Sequence, residues 1–141
     1  MRICVIDGRG GGLGSRLIER LLPIVEGPHE IVALGTNSAA AAAMAKAGAL
    51  HVGVGAQAIK RAVGEADLIL GSLSIVLPGA MLGEVTATMA DAILRAPGRK
   101  LLLPLNHLGV EVVGADSPTL ARLIEQTIQR VQATLRPSIP A

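Results

Sequence analysis

Short apolar runs alternate along the chain with segments whose apolar residues recur every three or four positions. The runs are rich in Ile, Val and Leu, which is typical of strands buried on both faces of a parallel sheet. Five such runs predict five strands: Ile3–Ile6, Ile31–Leu34, His51–Val54, Leu68–Leu70 and Leu101–Leu103.

The segments between the runs have the spacing of amphipathic helices. The first predicted helix presents its apolar face between Leu13 and Leu22 and breaks at the following proline. Ser38 is predicted to cap an alanine-rich helix, and Pro78 to open the helix that follows the fourth strand. Asp116 is the predicted cap of the last helix, whose apolar face extends over 120–135.

Strands that alternate with helices predict an α/β fold. We expect a single Rossmann-like three-layer domain over 1–135, with a parallel sheet in the order 3-2-1-4-5, and a tail at 136–141. The rhythm changes near the end, because only about six residues separate Leu105 from the next apolar run, and a parallel crossover needs a dozen or more. Glu111–Val113 is therefore predicted to be one antiparallel edge strand.

Composition narrows the possible partners. The 141 residues carry a formal net charge of +2, with scattered basic residues and no Phe, Tyr or Trp, so we expect no nucleic-acid binding. The longest uncharged stretch, 68–83, is interrupted by proline and glycines and is too short to span a bilayer, so we expect no membrane partner. The single cysteine, Cys4, suits a reducing compartment, and the protein is expected to be cytoplasmic.

The segment Asp7–Gly14 joins the first strand to the first helix, and residues 8–14 hold five glycines in seven positions. Its spacing fails the G-x-G-x-x-G pattern but meets G-x-x-x-G-x-G, which resembles the loop of short-chain dehydrogenases. Glycines let the backbone approach a pyrophosphate at the positive end of a helix. We therefore expect phosphate binding here, and the alternative is a tight turn that binds nothing. The predicted contacts are Asp7, Gly8, Arg9, Gly10, Gly11, Gly12 and Gly14.

The end of the second strand departs from the pattern of NAD-binding proteins. An acidic residue normally stands there to bind the ribose hydroxyls, but this chain has Thr36 and Asn37 instead. These two side chains can bind a ribose or a 2′-phosphate, or they can cap the alanine-rich helix. Both interpretations stay open, as does a ligand other than a nicotinamide cofactor.

Polar residues also follow the fourth and fifth strands, where doubly wound sheets bind their ligands. Ser72, Ser74 and Asn106 are predicted ligand contacts. His107 and Glu84 are the candidate catalytic residues, because each can act as a general acid or base. The alternatives are a turn residue for His107 and a helix-dipole partner for Glu84. No grouping of His, Cys and carboxylates has metal-ligand spacing, so we expect no metal.

Several segments together are similar to one protein family. Ile6–Gly14, Ala33–Asn37, Ala80–Thr86 and Pro104–Asn106 resemble short bacterial proteins grouped as a domain of unknown function, number 3842. The resemblance implies a soluble bacterial protein with a Rossmann-like fold, and it implies no activity. Where that family usually has Gly-Pro-Ile-Gly after the fourth strand, residues 71–74 read Gly-Ser-Leu-Ser.

These features favour a homodimer or larger homo-oligomer that binds NAD(P) or another nucleotide. The chain is too short to carry a separate substrate domain. An NAD(P)-dependent oxidoreductase of this length would therefore need a second subunit to complete its site. The alternative is a non-enzymatic sensor or binding module for a nucleotide, coenzyme A or a phosphorylated metabolite. A third interpretation is a structural subunit.

Overall fold

The structure is a computed structural model that describes residues 1–106, 108–115 and 118–136. Five strands of the described chain form one sheet: β1 Arg2–Asp7, β2 Glu30–Gly35, β3 His51–Val54, β4 Leu68–Ser72 and β5 Arg99–Leu103. The helices are α1 Gly12–Leu21, α2 Ser38–Lys46, α3 Gly55–Val63, α4 Ala87–Arg95 and α5 Leu120–Leu135, with a short 3₁₀ helix at Leu73–Val76. All four strand pairs are parallel and the order is β3-β2-β1-β4-β5, which confirms the predicted order.

The helices cover both faces of the sheet. On β1, Ile3 and Val5 pack into the core formed with α1, α2 and α5, whereas Cys4 and Ile6 pack against α3 and α4. This alternation follows from the two-residue period of a strand, and it makes β1 apolar on both faces. Burial in these surroundings raises the pKa of the Cys4 thiol to about 11.

Parallel pairing brings the carboxyl ends of the strands to one edge of the sheet. Asp7 pairs with Gly35 at the ends of β1 and β2, and Ser72 pairs with Leu103 at the ends of β4 and β5. The strand order reverses between β1 and β4. In doubly wound sheets this reversal opens a crevice, because the connections on either side lead to opposite faces.

The predicted antiparallel strand at Glu111–Val113 is wrong. These residues pair with no strand of the described chain, and Val113 lies in a turn closed by the Ala115 N–H, which donates to the Val112 carbonyl at 3.2 Å. Asn106 explains the difference. Its side chain donates to the Val110 carbonyl at 2.8 Å and accepts from the Val110 N–H at 3.3 Å, so it closes a compact loop directly before the predicted strand.

Three predicted helix starts also shift or lie outside the described residues. Pro78 begins a series of turns instead of a helix, and Thr86 caps α4 by accepting from the Met89 N–H at 3.1 Å. Asn37, not Ser38, caps α2. The predicted cap at Asp116 lies outside the described residues, as does the tail beyond residue 136, and Thr119 caps α5. In the described part of the chain, no helix is both long and apolar enough to cross a membrane.

Candidate functional site

A cavity of about 210 Å³ lies at the carboxyl edge of the sheet, where the strand order reverses between β1 and β4. The loop from Asp7 to Leu13 forms one wall, and the hydroxyl-bearing Ser72 and Ser74 form another. Met81 and Leu105 complete the lining with apolar side chains. The fold therefore brings the predicted glycine-rich loop and the predicted serines to one cavity.

The carboxylate of Asp7 turns back beneath the glycine-rich loop. It accepts hydrogen bonds from the Gly8 N–H at 2.8 Å and the Gly14 N–H at 2.7 Å. Burial raises the pKa of Asp7, although its backbone hydrogen bonds act in the opposite direction. The Asp7 side chain therefore lies at the positive end of α1, which favours a negative charge. This structural role of Asp7 was not predicted from the sequence.

Three glycines of the loop are needed for the fold itself. A Cβ on Gly8 would lie 2.3 Å from the Met81 sulfur, and one on Gly14 would lie 2.6 Å from the Met44 sulfur and 2.9 Å from the Asp7 Cβ. Gly11 has a φ of 73°, in the left-handed region that favours glycine. These glycines let α1 and α2 pack closely beside the end of β1, whether or not a ligand binds.

Gly10 and Gly12 have no such explanation. An added Cβ would meet no atom within 4 Å at either residue, and neither has a left-handed φ. Among the described residues, no acceptor takes a hydrogen bond from either N–H. Both residues line the cavity at the switch point. Both residues are exposed, and their N–H groups lie at and just before the start of α1, where a helix has N–H groups free to bind a ligand's acceptor atoms.

The two serines differ in how their hydroxyl groups are bonded. Ser74 donates to the Leu105 carbonyl at 3.1 Å and so joins the end of β4 to the loop after β5. Ser72 is only 7% exposed, yet its hydroxyl group bonds to no described residue. That oxygen is not sealed off, since no side-chain polar atom of the described residues is buried without a partner. The Ser72 hydroxyl therefore opens onto the cavity.

Glu84 was predicted to lie in the first turns of a helix. It instead precedes α4, and its side chain lies against the residues that follow β2. Its carboxylate accepts from the Thr36 hydroxyl at 2.7 Å and from the Asn37 amide at 3.0 Å. These hydrogen bonds, together with the backbone N–H and positive charge of Arg9, lower the pKa of Glu84. Asn37 also accepts from the Ala40 N–H at 2.8 Å, so it caps α2 and contacts the site at once.

Arg9 lies at the rim of the cavity. It is exposed and has a φ of 53°, a left-handed conformation that residues with a side chain rarely adopt. The Asn37 amide group supports this conformation by donating to the Arg9 carbonyl at 3.1 Å. The guanidinium group is thereby carried on a loop whose backbone is fixed on one side by α2.

Of the residues after β5, Leu105 lines this cavity but Asn106 does not. Asn106 closes its own loop and lines a separate cavity of about 510 Å³. His107 lies outside the described residues. No three His, Cys, Asp or Glu side chains of residues 1–106, 108–115 and 118–136 come together as a metal site.

Met81 was not predicted from the sequence as a site residue, and it covers Gly8 from the turns between β4 and α4. Met81 and Leu82 both have a φ of 57°, and Gly79 and Gly83 beside them have φ values of 91° and 87°. These four left-handed residues curl the segment back over the end of β1. The paired glycines were the available signal, since glycines four apart predict turns rather than the continuous helix that was expected.

Comparison with known proteins gives one match. A family described as a domain of unknown function, DUF3842, matches residues 2–136. The chain belongs to this family. No curated protein and no solved structure is detectably similar to the chain. The DUF3842 match covers the glycine-rich loop, both serines and Glu84, and its description assigns no activity, so function has to be argued from the site.

Proposed function

We propose that this protein binds a nucleotide, NAD(P) or another, with its phosphates in the cavity at the switch point. The observation that supports this best is the pairing of Gly10 and Gly12, which the fold does not require, with the unbonded hydroxyl of Ser72. Two N–H donors and a hydroxyl group around one cavity match the acceptor-rich surface of a phosphate. Arg9 at the rim supplies a positive charge for it.

The dimensions favour a nucleotide over a lone phosphate. A second cavity of about 380 Å³ shares Arg9, Ser74 and Met81 with the first and extends beneath Leu82. Sites for molecules of this kind typically occupy about 300–1,000 Å³. A pyrophosphate at the glycine-rich loop would leave the adjoining space for the rest of the ligand.

The charges in the cavity moderate the expected affinity. Asp7 already occupies the positive end of α1, so a bound phosphate gains less there than it would at a helix without an internal anion. The Asp7 carboxylate would also repel the phosphate unless it is protonated. Binding therefore depends mainly on the two glycine N–H groups, Ser72 and Arg9.

A cytoplasmic binding or sensor module is the role that these features favour. An NAD(P)-dependent oxidoreductase needs an acid or base beside the reacting atoms. The Glu84 carboxylate is instead hydrogen-bonded to Thr36 and Asn37 beyond the end of β2, and it is not among the residues that line the cavity with Ser72 and Ser74. Oxidoreductase activity is the second candidate, because Ser72 and Ser74 lie where the nicotinamide end of a dinucleotide would reach.

The absence of aromatic residues provides a sensitive test. Without Phe, Tyr or Trp the polypeptide is almost transparent in the near ultraviolet. A purine retained through purification would therefore dominate the spectrum, and mass spectrometry after denaturation would identify it. At a ligand concentration one hundred times Kd, linkage predicts about 2.7 kcal/mol of added stability, measured by circular dichroism. If the spectrum is blank and neither nucleotides nor pyrophosphate change the melting temperature, the proposal fails.

A homodimer or larger assembly is part of the proposal. The outer edge of β5 pairs with no other described strand, and apolar side chains beside it are exposed: Leu108, Val110, Val112 and Val113. A second copy of the chain could cover this edge, since exposed strand edges and apolar patches favour association. The measured mass should exceed the 14.4 kDa of one chain, and a mass of 14.4 kDa at high micromolar concentration would refute assembly.

A further inference from the structure

The position that binds ribose in dinucleotide-binding sheets is filled here from an unexpected part of the chain. An acid at the end of the second strand normally accepts hydrogen bonds from the ribose hydroxyls. In this protein β2 ends at Gly35, and the chain continues with Thr36 and Asn37, neither of which is acidic. The turn before α4 brings the Glu84 carboxylate onto those two side chains.

The carboxylate also lies next to the glycine-rich loop. A Cβ on Gly8 would be 3.4 Å from Glu84 Oε2, and the Arg9 N–H contributes to lowering the pKa of Glu84. An acid at this place is therefore at the end of β2 and beside the phosphate-binding loop at once. That is the relation between acid and loop that a ribose and its pyrophosphate require.

The carboxylate keeps room for a ligand. A carboxylate has about four acceptor positions. Oε2 of Glu84 accepts from the Thr36 hydroxyl and the Asn37 amide, whereas Oε1 accepts only from the same Asn37 amide among the described residues. Glu84 is half-buried, so part of the group faces outward. Thr36 and Asn37 hold it in one orientation, which makes them positioning residues for it.

We infer that Glu84 is the ribose-binding acid of this protein and that it selects nucleotides with an unmodified 2′-hydroxyl over those with a 2′-phosphate. The inference rests on the proposed nucleotide binding and names the ligand class for the same site. Ribose hydroxyls donate to the carboxylate in charge-assisted hydrogen bonds, which are stronger than neutral ones. A 2′-phosphate would place its negative charge against Glu84 and be repelled.

The experiment measures calorimetric affinities of the full-length protein for three probes: NAD, NADP and inorganic pyrophosphate. Wild-type protein should bind NAD at least about tenfold more tightly than NADP, a difference expected when one charged group is repelled by another. Glu84→Gln should weaken NAD binding by about tenfold, consistent with the loss of one charge-assisted hydrogen bond. Its affinity for NADP should not fall, so the preference collapses.

Pyrophosphate tests phosphate binding separately from ribose binding. It has no ribose, so Glu84→Gln should bind it as tightly as wild type does, or more tightly because a nearby negative charge is gone. Glu19→Gln, an exposed change on α1, is the matched control and should leave all three affinities unchanged. Circular dichroism melts verify that each variant folds.

Each result has one meaning. If wild-type protein binds none of the probes, the proposed function fails and this inference fails with it. If it binds pyrophosphate and NAD but does not distinguish NAD from NADP, nucleotide binding stands and the inference is overturned. Tighter NAD binding by Glu84→Gln would also overturn it, because Glu84 would then obstruct the site instead of contacting the ribose.

Discussion

Two concave regions of the molecule differ in size and in the state of their polar groups. The groove between β5 and α5 has a volume of about 670 Å³ and carries Lys100, Arg122 and Arg130 on its walls. The cavity at the glycine-rich loop has about 210 Å³ and one arginine. By volume and positive charge alone, the groove would be the phosphate site.

The hydrogen bonds reverse that ranking. In the groove, the Thr127 hydroxyl donates to the Leu123 carbonyl at 2.8 Å, and the Lys100 ammonium group donates to the Ala96 carbonyl. In the smaller cavity, two backbone N–H groups and the Ser72 hydroxyl have no acceptor or donor among the described residues. Backbone N–H groups at the start of a helix are fixed in position, and this arrangement is more specific for an anion than the exposed Arg122 and Arg130 side chains of the groove.

Changing Gly12 should have the largest effect. Gly12→Val places a branched side chain in the space left for phosphate, and we expect NAD affinity to fall by about a hundredfold through lost charge-assisted hydrogen bonds. The fold should be unaffected, since the new Cβ meets no atom within 4 Å. Calorimetry and circular dichroism melts measure the two effects.

Arg130→Gln, in the groove, is the matched control and should bind NAD as wild type does. The comparison between the regions would break if Arg130→Gln lost affinity while a folded Gly12→Val kept it.

Changing Gly14 should affect stability instead. Gly14→Val forces a side chain against the Met44 sulfur at 2.6 Å and the Asp7 Cβ at 2.9 Å. Overpacking of this kind costs about 1–3 kcal/mol of unfolding free energy. Urea unfolding followed by circular dichroism should show this loss for Gly14→Val, whereas the unfolding free energy of Gly12→Val should equal that of wild type. Equal stability of the two variants would contradict the division of the loop into packing glycines and ligand-facing glycines.

Lowering the pH should change NAD affinity less than the substitution of Gly12 does. The raised pKa of Asp7 rises further when a phosphate binds nearby, so the complex takes up a proton and affinity increases as pH falls. As the pH falls from neutral through the raised pKa of Asp7, the gain is at most about tenfold per pH unit. The lowered pKa of Glu84 keeps its carboxylate ionised at the neutral end of this range.

Calorimetric titrations across this range measure the effect, and Asp7→Asn should abolish it. Binding in the groove would show no such dependence, since no carboxyl or imidazole side chain of the described residues lines it. A pH-independent affinity of wild-type protein would place the ligand away from Asp7.

Much of the fold could be predicted from the sequence, because buried parallel strands leave continuous apolar runs such as Ile3–Ile6. The loop after β5 could not, since it is closed by the side chain of Asn106 through both backbone groups of Val110. That contact depends on side-chain geometry instead of periodicity.

The candidate site could be predicted only in part. The glycine-rich loop and the serines follow from their places at strand ends. The position of Glu84 does not, because it depends on a left-handed turn at Met81 and Leu82 that carries it from β4 to β2. The sequence indicates that Gly14 matters more for the fold than Gly12, but only the three-dimensional structure shows which atoms a side chain at each position would meet.

Nuclear magnetic resonance of the backbone amides tests the central claim most directly, with inorganic pyrophosphate titrated into labelled protein. The N–H signals of Gly10 and Gly12 should move together and saturate, because these groups would donate to the phosphates. The signals of Gly64 and Gly98, which follow α3 and precede β5, should stay in place. Saturating shifts at Lys100 and Arg122 with none at Gly10 and Gly12 would contradict the account, since the phosphates would then lie in the groove.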